Sequence, residues 1–560
     1  MVQRIFEFFH REFRDVREAA LLLAVSTVAS NLLALLRDRL LASRFGAGVE
    51  LDMYYAAFRV PDLLYAFSLF FVASTAIIPL FLERVSENKE RAREFLDTVL
   101  VAFLASTILL ALVAYAVMPF IVPLYVPGFD MDKQQEVIHM ARILLISPLF
   151  LGLSGLMSGI LQSFRKFFVY AATFLFYNVG IIIGILVFVP RWGLSGLAGG
   201  VVLGAFLHVL VQTPSLLRTG FFPRIRVRTF SDMADVFYRS FPRTVGLAIT
   251  QVTFVAVTAI ASTLGAGSIA IFQLSFNLQS IPLAVIGLSY SVAAFPTMAE
   301  LIVKRERAVF FEHLVSASRS IIFWTFPITI LFIVLRAHIV RVALGAGEFG
   351  WADTRLVAAS LALFAVGMVA QSLVALFVRA FYAIGNVRVP LAVNTFALLV
   401  TVTCAFFFVR ILQEISTVHL PFFQILRVED VPQTAILGLP FAFAVGALVN
   451  MALLGFYLRR MEGGNAFRLR AFGPFLGEMV CVGLLLGVVS YGVLQVSAPL
   501  FNGDTFWGIF LHGFLAGVCG IGIAMLFLFL RGNKELEEMR RVLGRKFWQK
   551  PAVGLEPEHL

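Results

Sequence analysis

Charged side chains are scarce in this chain. Only 14% of its 560 residues are Asp, Glu, Lys or Arg, against about a quarter in an ordinary soluble domain. Cysteine is rarer still. Cys404, Cys481 and Cys519 all lie in apolar runs, which excludes a disulfide scaffold and a cysteine-based metal site. No GxxxxGK[ST], HExxH or GxSxG stretch occurs, so no nucleotide loop, zinc protease or serine hydrolase is expected. The chain reads as no enzyme, with no metal and no cofactor. No cleavable signal peptide is visible, and the first apolar run is expected to direct insertion.

Apolar length is what the chain has. Runs without Asp, Glu, Lys or Arg cover 19–36, 63–82, 98–129, 143–164, 167–190, 192–217, 244–299, 320–335, 356–378, 389–409, 431–458, 479–503 and 505–530. About 20 such residues cross a bilayer as a helix. The run 244–299 contains a Gly265-Ala266-Gly267 turn and is read as two spans. The expected fold is therefore an all-α polytopic membrane protein with about 14 transmembrane helices. The 59 phenylalanines serve as core and lipid-facing filling, not as a cofactor box.

The net charge of +11 follows topology. With the N-terminus inside, the inner segments carry 30 Lys and Arg and the outer loops 10. That bias places both termini in the cytoplasm. The excess favours anionic membrane lipids as partners and gives no reason to invoke nucleic acid.

Internal echoes organise the chain. "FGAGVELDMYYAAFRVP" (45–61) is echoed by "LGAGSIAIFQLSFNLQSIP" (264–282), and "STAIIPLFLERVSENKERA" (74–92) by "SVAAFPTMAELIVKRERA" (291–308). Gly196, Leu197, Gly204, Ala205 and His208 recur as Gly438, Leu439, Gly446, Ala447 and Asn450. Equivalent helices start both repeats, so two parallel-repeat bundles around a central cavity are expected. The segments are an amphipathic 1–18, a first bundle 19–216, a basic linker 217–233, a second bundle 234–460, two further spans in 461–531, and a basic tail 532–560. The many in-span prolines, Pro61 and Pro282 among them, suit kinked helices.

Ionisable groups at membrane depth cost about 2.5–3.5 kcal/mol each on insertion scales. Asp52, Tyr55, Arg59 and Asp62 are spaced 3, 4 and 3 residues apart and would form one stripe of a single helix. Asp62 is near enough to pair with Arg59. Asn31 and Asp38, like Ser30 and Arg37, are seven apart and form another polar edge. Gln273, Asn277 and Ser280 repeat the spacing with uncharged groups. Two readings stay open. Arg37 and Arg59 face a water-filled cavity that takes a phosphate or pyrophosphate, or Arg59 and Asp62 merely pin their helix. Arg39 and Arg44 are expected to snorkel to headgroups. His208, Arg319 and Glu478 are expected to be satisfied interhelical contacts.

"RDRLLASRFGAG" (37–48) with "LDMYYAAFRVPDLL" (51–64) resembles the MurJ/MviN family, itself similar to the multidrug, oligosaccharidyl-lipid and polysaccharide exporters. "GSIAIFQLSFNLQSIPLAVIGLSYSVAAFP" (267–296) and "AFYAIGNVRVPL" (380–391) support the resemblance, which covers nearly the whole chain. It implies a monomeric, multi-pass flippase of the bacterial inner membrane, used in peptidoglycan biosynthesis, cell-wall biogenesis and maintenance of cell shape. Its partner would be lipid II, a polyprenyl-pyrophosphate-linked peptidoglycan precursor, moved outward by alternating access and coupled to membrane potential or a cation. Arg37, Asp52 and Arg59 fall on family cavity positions, with roles in pyrophosphate binding or gating. Asn31 and Asn277 stand where the family usually has arginine, Phe70 where it has glutamate, and Val257 where some members have a sodium-linked aspartate. The alternatives are export of another lipid-linked oligosaccharide, cation-coupled drug antiport, or a glycan ligase or polymerase. The last would need catalysis from the loop 412–432, with Glu414, His419, Glu429 and Asp430.

Overall fold

A computed structural model of the protein describes residues 16–72, 74–164, 166–226, 233–415, 421–462 and 469–537. All regular structure among them is helical. Among the described residues ten helices are long and apolar enough to cross a membrane, or 11 if Trp351–Val366 and Met368–Ala383 form one span. About fourteen spans were expected from thirteen runs, and the lower count has identifiable sources. The stretch Phe168–Leu217 counts once although it has 50 residues, roughly 75 Å of helix against a core of about 30 Å. Gly193 breaks it with φ 57° and ψ −138°. Residues 19–36 and 63–82 lie in helices that adjoin residues outside the described set.

The described residues group into two compact units. The first draws on Met1–Ile281, Val340–Gly367 and Gly385–Leu454, the second on Pro282–Ile339, Met368–Ile384 and Gly455–Leu560. In chain order the first unit contains α1 (Val16–Phe45), α2 (Val49–Ala57), α3 (Arg59–Val72), α4 (Ser74–Glu87), α5 (Lys89–Tyr125), α6 (Met131–Leu144), α7 (Ser147–Ser163) and α8 (Phe167–Ile183). It continues with α9 (Val189–Leu210), α10 (Thr213–Leu217), α11 (Met233–Ser262) and α12 (Ser268–Pro282).

In lipid, apolar side chains gain little by leaving the solvent, so close packing and internal hydrogen bonds hold helices together. The contact of α8 with α9 shows this. Gly180 and Gly184 lie against Gly204 and Gly200, and a Cβ on any of the four would strike the opposing backbone. That close approach anchors α8, which carries Tyr177 and Asn178. Toward one end of the unit, Phe81, Phe95, Phe103, Leu156 and Ile160 form a fully buried cluster. Phe81 meets Phe164 and Phe221 edge-on at 6.0 and 5.3 Å.

The expected single helix over 52–62 is interrupted at Phe58. Pro61 lies in the first turn of α3, where a missing N–H costs no helical bond. It therefore starts a helix instead of kinking one. Pro282 behaves differently: α12 passes there into a π-helical segment, Leu283–Leu288.

In the second unit, two of the polar groups in the spans meet partners within the unit. Arg319 Nε donates to Glu535 Oε1 at 2.7 Å and its guanidinium lies 4.6 Å from the Phe475 ring centre. Asn533 Nδ2 donates to Glu478 Oε2 at 3.0 Å. Arg319 and Glu478 thus have partners, as expected, though Asn533 lies past the end of the helix Phe506–Leu530. The linker beyond 226, most of segment 1–18 and the tail beyond 537 lie outside the described residues.

Candidate functional site

A cavity of about 240 Å³ opens within the first unit. Arg37 and Asp38 of α1, Tyr54 and Tyr55 of α2, Arg59 and Asp62 of α3, Tyr177 of α8, Gln251 and Phe254 of α11, and Gln273 and Asn277 of α12 line it. Its walls are therefore drawn from helices on both sides of the chain's internal echo.

One hydrogen-bonded relay crosses the cavity. Arg37 Nε and Nη2 donate to Asp38 Oδ1 at 2.9 and 2.7 Å. Asn277 Nδ2 donates to Asp38 Oδ2 at 3.0 Å, and Gln273 Nε2 donates to Asn277 Oδ1 at 2.9 Å. Arg59 Nη2 donates to Gln273 Oε1 at 3.0 Å, and its Nε donates to Thr258 Oγ1 at 2.7 Å. Arg37 Nη1 also reaches Asn178 Oδ1 at 3.1 Å. The Arg59 guanidinium lies 5.3 Å from the Phe254 ring centre, within cation–π range. Phe254 packs in turn with Phe272, Phe276 and Phe443. Aromatic packing on one side and hydrogen bonds on the other hold the guanidinium in place.

Asp52 occupies a different place. It is buried, outside the cavity lining, and accepts from the backbone N–H groups of Gly267 and Ala270 at 2.6 and 2.7 Å. These are the first, otherwise unbonded, donors of α12, where a carboxylate is favoured. Gly267 has φ 90°, and a Cβ there would strike the Ala47 carbonyl. The two GAG turns of the internal echo thus meet each other, with Asp52 tying α2 to the start of α12. Asn31 is half-buried and also outside the lining, and its Nδ2 has no hydrogen-bond partner among the described residues.

Other residues also depart from expectation. Arg59 and Asp62 form no ion pair: the arginine turns to Thr258 and Gln273, and Asp62 accepts no hydrogen bond within the described residues. Arg39, expected to reach for headgroups, donates to the carbonyls of Val342 and Gly345 at 2.5 and 3.4 Å. Tyr55 lines the cavity with a buried hydroxyl that has no hydrogen-bond partner among the described residues. His208 is a satisfied contact, with Nδ1 2.5 Å from Ser154 Oγ, and Gln212 donates to the same hydroxyl.

Sequence reasoning did not place Asn178, Thr258, Tyr177 or Gln251 at the site, and it noted Asp38 only as part of a polar edge. Asn178 and Gln251 carried a signal, as amides inside long charge-free runs. Thr258 carried none, because threonine is common in apolar helices as a backbone-bonding residue. In the loop 412–432, Asp430 is occupied by Arg355, whose Nη1 and Nη2 donate to it at 2.9 and 2.5 Å. Glu414 lies 3.8 Å from Arg410, and His419 falls outside the described residues. Neither contact resembles acid–base machinery.

Multiple apolar helices around a charge-lined interior cavity define a multi-pass membrane protein of transporter type. The model of the family described as lipid II flippase MurJ matches residues 41–511, and the chain belongs to that family. A probable lipid II flippase MurJ of Bdellovibrio bacteriovorus is 24% identical over 94% of this chain and 97% of its own length. One from Thermotoga maritima is 28% identical over 66% of this chain and 74% of its own. Among solved structures, lipid II flippase MurJ in an inward closed conformation matches 94% of this chain and all of its own, with TM-score 0.70 and 21% identity. An inward-facing multidrug resistance MATE family transporter of the MOP superfamily matches 78% of this chain and 96% of its own, with TM-score 0.60 and 16% identity. The structural likenesses establish the fold.

Proposed function

We propose that this chain is a lipid II flippase, carrying a polyprenyl-pyrophosphate-linked peptidoglycan precursor from the inner to the outer leaflet by alternating access. Membership of the family over 41–511 carries the reading. The cavity supplies suitable chemistry. Arg59 spends Nε and Nη2 on Thr258 and Gln273, while Nη1 makes no hydrogen bond within the described residues. Arg59 is the residue that meets the pyrophosphate, because guanidinium–phosphate bonds are strong and directional. Arg37 is committed to Asp38 and Asn178, so it acts by holding the relay until substrate displaces a partner. Asp52 acts as a gate tie between α2 and α12, and Asn277 and Gln273 as the uncharged wall of the site.

The same reading places the protein in the bacterial inner membrane, with both termini cytoplasmic, as a monomer in contact with anionic lipid. It takes the two parallel bundles, 19–216 and 234–460, as the moving parts. The test is to deplete a host's own lipid II flippase and express this chain. Restored extracellular accessibility of lipid II is the expected result, and failure with normal membrane abundance would overturn the reading. Arg59→Ala abolishes the rescue while leaving abundance unchanged.

A further inference from the structure

The cavity lining contains two arginines and two aspartates, Arg37, Arg59, Asp38 and Asp62. Three of these have partners. Asp38 accepts from Arg37 and Asn277, and Arg59 donates to Thr258 and Gln273. Asp62 alone makes no side-chain hydrogen bond within the described residues, yet it lines the cavity three residues from Arg59. An anion arriving at Arg59 comes within a helical turn of this carboxylate, and like charges there repel.

We propose that Asp62 is a proton-binding site linked to the anion site: it takes one proton from solvent, becoming a neutral carboxylic acid, when a phosphate-bearing headgroup binds at Arg59. The inference rests on the reading of the cavity as an anion site. A neutral Asp62 removes the repulsion and can donate its O–H to a phosphate oxygen. By linkage, the anion raises the proton affinity of Asp62 and the proton raises the anion affinity by the same factor.

The surroundings agree. The other ionisable groups lining the cavity are Arg37 and Asp38 from α1, Tyr54 and Tyr55 from α2, Arg59 from α3 and Tyr177 from α8. Tyr125 of α5 stands by Arg59. The lining residues of α11, Gln251 and Phe254, are neutral. The neighbouring α7 contains no titratable residue, and α6 turns none into the cavity. Among the described residues Asp62 is thus the one acid in the lining without a side-chain hydrogen bond or a contact ion pair, with the Arg59 charge acting on it only through space.

The test uses the purified full chain in nanodiscs, with a short polyprenyl pyrophosphate as probe. Affinity and proton uptake are measured in weak buffer across acidic to mildly alkaline pH. Wild-type affinity should fall about tenfold more than that of Asp62→Asn over this range, because probe titration is common to both proteins. Wild type should also take up close to one extra proton per probe bound, an effect lost in Asp62→Asn. Parallel pH profiles and equal uptake, with binding still dependent on Arg59, would overturn the role of Asp62 alone. Failure of the probe to bind, or binding that survives Arg59→Ala, would overturn the anion site and this inference with it. The wild-type uptake measurement stands even if the variant does not fold.

Discussion

Arg37 and Arg59 each have an aspartate close by in sequence, and they treat it differently. Arg37 binds its immediate neighbour Asp38 through two nitrogens, although adjacent residues on a helix do not ordinarily face each other. Arg59 has Asp62 at the favourable three-residue spacing and ignores it for Thr258 and Gln273 of other helices. A third pair, Arg355 with Asp430, lies on exposed ground, with the aspartate side chain 74% accessible. Helical spacing states which residues can meet. Tertiary neighbours decide whether they do, since a desolvated guanidinium takes whichever set of oxygens satisfies most of its donors.

The comparison can be broken most severely at Asp38. Asp38→Ala leaves Arg37 and Asn277 without their shared acceptor in a buried setting, and should cost about 3–5 kcal/mol. Thermal unfolding of the purified protein would register this, and rescue of the flippase-depleted host should fail. A loss no larger than that of an exposed pair would show that the relay is not a structural unit.

A smaller effect is expected at Asp52. Asp52→Ala removes the acceptor of two backbone N–H groups at the start of α12 and should cost about 1–2 kcal/mol. Asp52→Asn, which keeps an acceptor oxygen, should recover part of that stability in the same assay. Equal losses in the two variants would assign the effect to charge alone.

The smallest effect belongs to the exposed pair. Hydrogen bonding from Arg355 holds the Asp430 carboxyl below its usual range. A depressed folded-state value means stability that is present above the ordinary aspartate pKa and lost as pH falls through the folded one. Unfolding temperature followed from neutral to acidic pH should therefore fall less steeply in Arg355→Ala than in wild type. The two curves should converge at the acid end. Curves offset by a constant amount would show that Arg355 acts by packing, not by charge.

Much of the site was legible beforehand. Arg37, Arg59, Tyr55, Asp62, Gln273 and Asn277 stood out because polar and ionisable groups at membrane depth are costly, and the structure brings all six to one cavity. Asn31 and Asp52 stood out for the same reason and lie elsewhere. Burial cost identifies a residue that must have a purpose, without saying whether that purpose is a ligand or a helix end. Asp52 serves the end of α12, and a backbone acceptor leaves no distinctive pattern in the sequence at residues 267–270.

By itself the sequence determined that this is a helical membrane protein with an internally echoed plan, because only long apolar helices satisfy their backbone inside a bilayer. It also determined the family, through "RDRLLASRFGAG" and "YYAAFRVPDLL". Tertiary structure alone decided that helices break at Phe58 and Gly193 and that Arg39 holds helix-end carbonyls. It also decided that Arg59 hydrogen-bonds to Thr258 and Gln273 and not to Asp62. The reason is common to these cases. Most buried donors and acceptors are paired, and the pairing is settled by which helices lie side by side, information that no local spacing contains.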